Sequence, residues 1–344
     1  MGLKEIAERT DVSITTVSLV LSGKGRVSEA VRRKVLDAAR ELRYKSPLYE
    51  GVGERGDAIG ILYHMDPEWA YAHGFLLPVL NALESVFADA GRQTLVIPFY
   101  FDDDRGGILR KVERCGVAGV VSIHFADDKL FDRLEGDGVP VVIVNNLTWF
   151  DEFTSIGVDD FQGAYRGGKR LLELGHTDIL FVDYKRERMS SIVEDRYYGF
   201  LKALNERGLP APKHERLTVE DQKGGELRRK LEKILSGPWR PTAVFAHDDY
   251  LALHVAHALG ELGVGVPEGM SIIAPGDVLD YSEPFVPGIT TMRIDTEMMG
   301  RVAGEAMLKR LTGKEVTRSY SLRIKQHLVE RGSCLPPPSR RETA

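Results

Sequence analysis

The chain has 344 residues, 43% hydrophobic and 28% charged. That is too long for one ordinary domain and suits two or three; it lies in the range of soluble globular proteins, and no apolar run reaches the roughly 18 residues of a membrane span. Residues 1–45 carry ten Lys/Arg against six Asp/Glu, a net +4, while the remainder holds 36 against 45 and stands at −9; a basic head on an acidic body fits a nucleic-acid contact confined to the head. Met1-Gly2-Leu3-Lys4-Glu5 has no apolar core with a cleavage site, so a cytoplasmic protein is expected. The two cysteines, Cys115 and Cys334, are read as thiols and not as a disulfide.

The first predicted element is a helix over Leu3–Thr10, with Leu3, Ile6 and Ala7 on one face. Asp11-Val12 breaks it, Asp being tolerant of a left-handed turn. Ser13 then caps a second helix, Ile14–Leu21, which Gly23-Lys24-Gly25 ends. Ser28 caps a third, Glu29–Leu42, with Val31, Val35, Leu36, Ala39 and Leu42 on its apolar face. Three short helices with a tight first turn spell a helix-turn-helix. Ala7 is the small residue at the crossing and Val17 the buried anchor, which leaves Ile14, Thr15, Ser18 and Leu19 outward, an uncharged face suited to a major groove.

From Ala58 onward, apolar strands alternate with helix-length periodic segments: Ile59–Leu62, a helix over Leu76–Ala90 ended by Gly91, then Thr94–Ile97, Gly119–Ile123 and Val139–Val144. A second set contains Ile179–Val182, Ala243–Ala246 and Ser271–Ile273. Such alternation implies parallel βαβ units, and two doubly wound lobes would hold a ligand at the carboxyl ends of their strands. The pattern by itself fits a cofactor enzyme as well.

Two stretches imitate chemistry. Gly163-Ala164-Tyr165-Arg166-Gly167-Gly168-Lys169 has phosphate-loop spacing, but Arg170 replaces the magnesium-binding hydroxyl and the stretch reads as helix. His247, Asp248, Asp249, His254 and His257 suggest metal, yet Leu251, Val255 and Ala258 make the segment a packed helix. No cofactor, metal or catalytic triad is expected.

Asp11-Val12-Ser13-Ile14-Thr15-Thr16-Val17-Ser18-Leu19-Val20-Leu21-Ser22, followed by Val27-Ser28 and Arg40-Glu41-Leu42-Arg43-Tyr44, resembles the headpiece of the LacI/GalR family. The resemblance implies a sequence-specific regulator, most simply a repressor, on double-stranded operator DNA. Ile14 and Thr15 would read bases, Thr16 and Ser18 would touch phosphates with Lys24 nearby, and Ser13 and Leu19 complete the set. Leu19 stands where the family usually has an arginine that reads guanine; a leucine can only pack on a thymine methyl. The linker after Tyr44 holds three glycines, which weaken a hinge helix, and Leu48 remains a candidate for an apolar wedge in the minor groove.

The resemblance continues through Ser155–Ala164, Leu171–His176, Asp195–Phe200, Thr242–Ala252, Ile289–Thr291 and Leu328–Ser333. It implies a homodimer of a two-lobed periplasmic-binding-protein-like fold with a small sugar-like effector between the lobes. Arg196 would grip ligand hydroxyls or carboxylates through its donor fork, beside Asp248 and Asp249. Asn145 would contact ligand from the first lobe, with His73 and Phe75 at its mouth and His124 and Phe125 after another strand. Gly276 stands where relatives have a ligand-contacting aspartate, and Asp277 is the substitute.

The expected layout is therefore an all-α helix-turn-helix over 1–46, a linker over 47–58, an α/β effector domain over 59–334 and a disordered tail over 335–344. Its first lobe would take 59–160 and 290–320, its second 161–289 and 321–334. The tail has no apolar heptads, so a dimer and not a tetramer is expected. A solute-binding protein of the same fold would lack residues 1–45, and an enzyme would need a catalytic constellation.

Overall fold

The computed structural model describes residues 3–21, 31, 34, 35, 38, 56–64, 73–100, 103–147, 152–185, 190–207, 216–220, 225–313 and 319–338. In the headpiece, α1 (Leu3–Thr10) and α2 (Ile14–Leu21) have the predicted bounds. Asp11 makes the turn with φ 51°, and Ser13 Oγ accepts the Thr16 N–H at 3.0 Å, which satisfies one of the free donors of α2. Ile6, Ala7, Val17 and Val20 bury one another together with Val35 and Ala38. Gly23–Gly25, most of the predicted third helix and residues 47–55 of the linker, Leu48 included, lie outside the described residues.

Among the described residues, the body holds two six-stranded sheets. The first has the order β11-β5-β4-β3-β1-β2, built from β1 (Ile59–His64), β2 (Thr94–Phe99), β3 (Gly119–Ile123), β4 (Val141–Val144), β5 (Thr154–Val158) and β11 (Ser321–Ile324), all paired in parallel. Helix α3 (His73–Asp89) and helix α10 (Thr296–Leu311) cover one face; α4 (Arg105–Cys115) and α5 (Asp128–Gly136) cover the other. The second sheet has the order β12-β10-β9-β8-β6-β7. It contains β6 (Ile179–Tyr184), β7 (Arg216–Val219), β8 (Ala243–Ala246), β9 (Ser271–Gly276), β10 (Thr290–Arg293) and β12 (His327–Val329), which alone runs antiparallel. It lies between α6 (Asp160–Glu173) with α7 (Ser190–Glu206) and α8 (Glu226–Ser236) with α9 (Asp249–Glu261). Burial on both faces is why the central strands read as continuous apolar runs.

The chain passes between lobes at 158–160, 293–296 and 324–327. The expected division fails at two strands: β10 belongs to the second sheet and β11 to the first. Register explains the exchange. Thr290, Thr291 and Met292 are buried beside β9, whereas the mostly exposed β11 supplies only an edge to β5, and an edge strand carries no hydropathy that names its sheet. The Asp159 N–H donates to the Ile324 carbonyl at 2.9 Å, tying two crossings together. Gln326 is fully buried between them.

The phosphate-loop look-alike lies in α6, and its glycines serve close packing. A Cβ at Gly163 would stand 2.3 Å from the Gln326 side chain, at Gly167 2.9 Å from the Phe245 ring, and at Gly168 3.2 Å from Ala203. The expected disorder of the tail is also corrected over 335–338. The Leu335 carbonyl lies 2.8 Å from His176 Nε2 and accepts from Ser271 Oγ at 3.0 Å, while its N–H donates to the same hydroxyl. Residues 339–344 lie outside the described residues.

Candidate DNA-binding headpiece and effector cleft

On the headpiece, the start of α2 presents Ile14, 48% exposed, with Ser13 and Thr15 also exposed and Thr16 half-buried. Val17 is fully buried, so the helix is oriented as predicted. The Ser13 and Thr16 hydroxyls lie 2.8 Å apart, so both belong to the cap that sets where the helix begins. The side chains of Ser18 and Leu19, and all of Lys24, fall outside the described residues. An exposed apolar residue on the first turn of a helix, in a turn with no acidic residue, suits contact with base edges and methyl groups.

At the mouth of the first lobe, β3 and β4 end in residues with positive φ, His124 at 62° and Asn145 at 56°. These turns aim both side chains at each other, Asn145 Nδ2 lying 3.2 Å from His124 Nδ1. The Phe75 ring, at the start of α3, packs on the His124 ring with centroids 4.6 Å apart, and Asn146 Nδ2 donates to the His124 carbonyl. Burial pulls the His124 imidazole down to about 4, so it is uncharged at neutral pH. Phe75 and Asn145 are thus brought together as expected. Phe125 is not: the chain turns at His124, the Ser122 hydroxyl donates to the Phe125 carbonyl at 2.8 Å, and the ring packs against Phe99 and Phe131 on the opposite face of the sheet. The His73 side chain lies outside the described residues.

In the second lobe, Arg196 from α7 is 6% exposed. Its Nε donates to Asp160 Oδ1 and its Nη1 to the His247 carbonyl, each at 2.7 Å. Burial opposes its charge, but Asp160 above all, then Asp248 and Asp183, hold it above the ordinary arginine value. His247 Nδ1 lies 3.0 Å from Asp183 Oδ1, and Arg216 donates to Asp183 Oδ2 at 2.7 Å. Burial pushes the Asp183 carboxyl up; its contacts with His247 and Arg216 outweigh this and hold it below the usual range. Asp248 caps α9 by accepting the Leu251 N–H at 2.7 Å and receives the Tyr184 hydroxyl at 3.2 Å.

Two of the expected ligand contacts are committed elsewhere. Asp249 is fully buried, and its Oδ2 accepts the N–H groups of Val278 and Leu279 and the Tyr281 hydroxyl. Burial and the neighbouring Asp248 push its carboxyl up to about 7. Asp277 receives Thr291 Oγ1 at 2.7 Å and pairs with Arg331 and Arg293. Both therefore clamp the segment after β9. That segment reaches across to the other lobe: Val278 packs on the first-lobe core, and a Cβ at Gly74 would stand 1.8 Å from the Val278 carbonyl oxygen. Sequence reasoning did not assign Asp160, Asp183, Tyr184 or His247 to this site. The available signal was an acid in the otherwise apolar run Ile179–Tyr184, since a buried carboxylate needs a partner. Among the described residues no cluster of His, Cys, Asp and Glu has the arrangement of a metal site, and no helix is long and apolar enough to cross a membrane.

Comparison with known proteins agrees with this geometry. Residues 2–46 match the bacterial regulatory proteins of the lacI family, and residues 169–334 match a periplasmic binding protein-like domain. The HTH-type transcriptional repressor PurR of Erwinia tasmaniensis is 30% identical over 344 residues, 98% of each chain. PurR of Pectobacterium atrosepticum is 28% identical over 353 residues, again 98% of each. Among solved structures, the transcriptional regulator CelR–cellobiose complex aligns with a TM-score of 0.70 at 23% identity, covering 97% of this chain and 99% of that one. The Lac repressor dimer bound to operator and the anti-inducer ONPF aligns with a TM-score of 0.66 at 23% identity, with the same coverage. A DNA-binding headpiece followed by an effector-binding domain, related over its length to repressors and not to enzymes, places this chain in the LacI family of bacterial transcriptional regulators.

Proposed function

We propose that the chain acts as a cytoplasmic homodimeric repressor whose operator affinity is set by a sugar-like ligand held between the lobes. The observation that carries the ligand class is the polar set at the strand ends: Asn145, Asn146 and neutral His124 from one lobe, Arg196, Asp160 and Asp248 from the other, with Phe75 as an aromatic wall. Amide, carboxylate and guanidinium groups beside an aromatic face are what a polyhydroxylated ring needs. A planar purine is the second reading, favoured by the tilted Phe75–His124 pair and by the PurR relatives.

A dimer is supported by apolar side chains left on the surface of the first lobe: Leu77 on α3 and Leu95 and Val96 on edge strand β2, 52%, 39% and 49% exposed. A headpiece of this size also needs a symmetric copy to read two half-sites. Isothermal titration of the full chain with sugars, polyols and purines decides the ligand, and gel shift on operator DNA with and without that ligand decides its effect. Binding of purines with indifference to every sugar would overturn the sugar reading. A sedimentation profile showing a pure monomer or a stable tetramer at micromolar concentration would overturn the dimer.

A further inference from the structure

The guanidinium of Arg196 is the cation around which the second-lobe half of the cleft is built, and it is already occupied. Its Nε donates to Asp160 Oδ1 at 2.7 Å, with both side chains under a tenth exposed. Asp160 is well placed for this. Asp159 takes the capping duty of α6 by accepting the Gln162 N–H, so the Asp160 carboxylate, on the first turn, is left to turn toward Arg196. A carboxylate there is stabilised by the helix N-terminus. The second nearby guanidinium, Arg216, is held by Asp183 at 2.7 Å and lies 4.2 Å over the Tyr197 ring. Asp248 adds a further carboxylate beside Arg196, and the first-lobe groups, Asn145, Asn146 and uncharged His124, supply no cation. The two guanidiniums that meet in this half of the cleft, Arg196 and Arg216, are thus each matched by a carboxylate, Asp160 and Asp183, with Asp248 in addition.

We infer that Asp160 is a charge-selectivity residue, an internal counter-ion that keeps Arg196 from receiving an anion. The cleft then takes uncharged or ammonium-bearing polyhydroxy ligands and rejects their carboxylate and phosphate derivatives. Arg196 still orients a ligand through the fixed plane of its guanidinium, as a donor of hydrogen bonds and not as an ionic partner. This deepens the effector reading above and rests on it only for the identity of the neutral ligand.

The experiment uses the full chain and inorganic sulfate as an anion probe. Sulfate stabilises folded proteins in general, so the reference is the double variant Asp160→Asn/Arg196→Gln, which has neither charge. Wild type is expected to gain no more Tm in sulfate than this reference. Asp160→Asn, with its guanidinium released, is expected to gain several degrees more, and Asp160→Glu to behave as wild type. A wild-type gain equal to that of Asp160→Asn would overturn the inference, as would an Asp160→Asn variant that ignores sulfate. Should Asp160→Asn not fold, the wild-type comparison with the reference still decides, joined by calorimetric titration of glucose against glucuronate and of ribose against ribose 5-phosphate. A parent sugar bound roughly ten-fold more tightly than its acid supports the assignment; an acid bound more tightly than its parent refutes it. Sulfate requires no sugar, so a chain that binds none of the four yet shows the sulfate pattern loses the sugar reading and keeps the charge rule.

Discussion

Replacing Asp249 with asparagine should flatten the pH dependence of stability. The carboxyl is fully buried, its Oδ2 takes three donors from the 278–281 segment, and its Oδ1 has no hydrogen-bond partner among the described residues. Burial, reinforced by Asp248, pushes it from 3.8 to about 7. Between those values the folded chain retains a proton that the unfolded chain has released. Stability therefore falls as pH rises through this window, and the loss is complete above about 7. A gap of about three pH units corresponds to roughly 4 kcal/mol. Asparagine keeps an acceptor oxygen for the Val278 and Leu279 N–H groups but cannot ionise. The stability of Asp249→Asn relative to wild type should thus rise by roughly 3–4 kcal/mol from about pH 4 to about pH 8. Urea unfolding at several pH values, followed by tryptophan fluorescence, measures that difference, because other titrating groups are common to both proteins. Two curves that stay parallel across the range would show that the carboxyl is not held protonated, and the reasoning from its burial would fail.

Arg196→Ala leaves the Asp160 carboxylate buried without its partner, a loss of roughly 3–5 kcal/mol; thermal unfolding should show it, while the isolated contribution of the headpiece to operator binding in a gel shift should persist. Gly74→Ala places a methyl group against the Val278 carbonyl, and overpacking of this kind costs roughly 1–3 kcal/mol; an unchanged Tm would show that the lobes do not approach as described. Leu19→Arg should move operator preference toward guanine at one position per half-site, by roughly 1–3 kcal/mol. Selection from randomised DNA separates this from added charge, which strengthens all sequences alike; an unchanged selected motif would put Leu19 away from the bases.

Much of the architecture was legible because local chemistry and fold agreed. Ser13, Asp11 and Val17 each announce cap, turn and anchor of α2, and the structure places them in those roles. Strands such as Gly119–Ile123 and Ala243–Ala246, buried on both faces, need no partner to be recognised. Edge and crossing elements were less legible. Strand β11 is exposed along most of its length, so only its pairing with Ser155–Val158 reveals its sheet. At the site, the sequence marked Arg196 and Asp248 by type and position but could not tell a side chain that faces ligand from one that holds a loop. Asp249 and Asp277 look equally suitable as sugar contacts until their donors, Val278, Leu279, Arg293 and Arg331, are known. Phe125 failed because the left-handed turn at His124, which the strand pattern does not announce, sets where the next ring goes.

The exchange of β10 and β11 between lobes has a consequence for synthesis on the ribosome. Among the described residues, the outer side of β5 is paired with the segment 320–324, whereas β5 itself ends at Val158. At a translation rate of roughly 5–20 residues per second, β5 waits roughly 10–30 s for its neighbour. During that interval the nascent first lobe displays an unpaired row of backbone donors and acceptors flanked by apolar strands, which is the kind of edge that other chains can join. The headpiece, by contrast, is contiguous and near the N-terminus. A half-made chain can therefore present a completed DNA reader attached to a sensor that is still open, and a nonsense mutation late in the gene would leave it in that condition permanently.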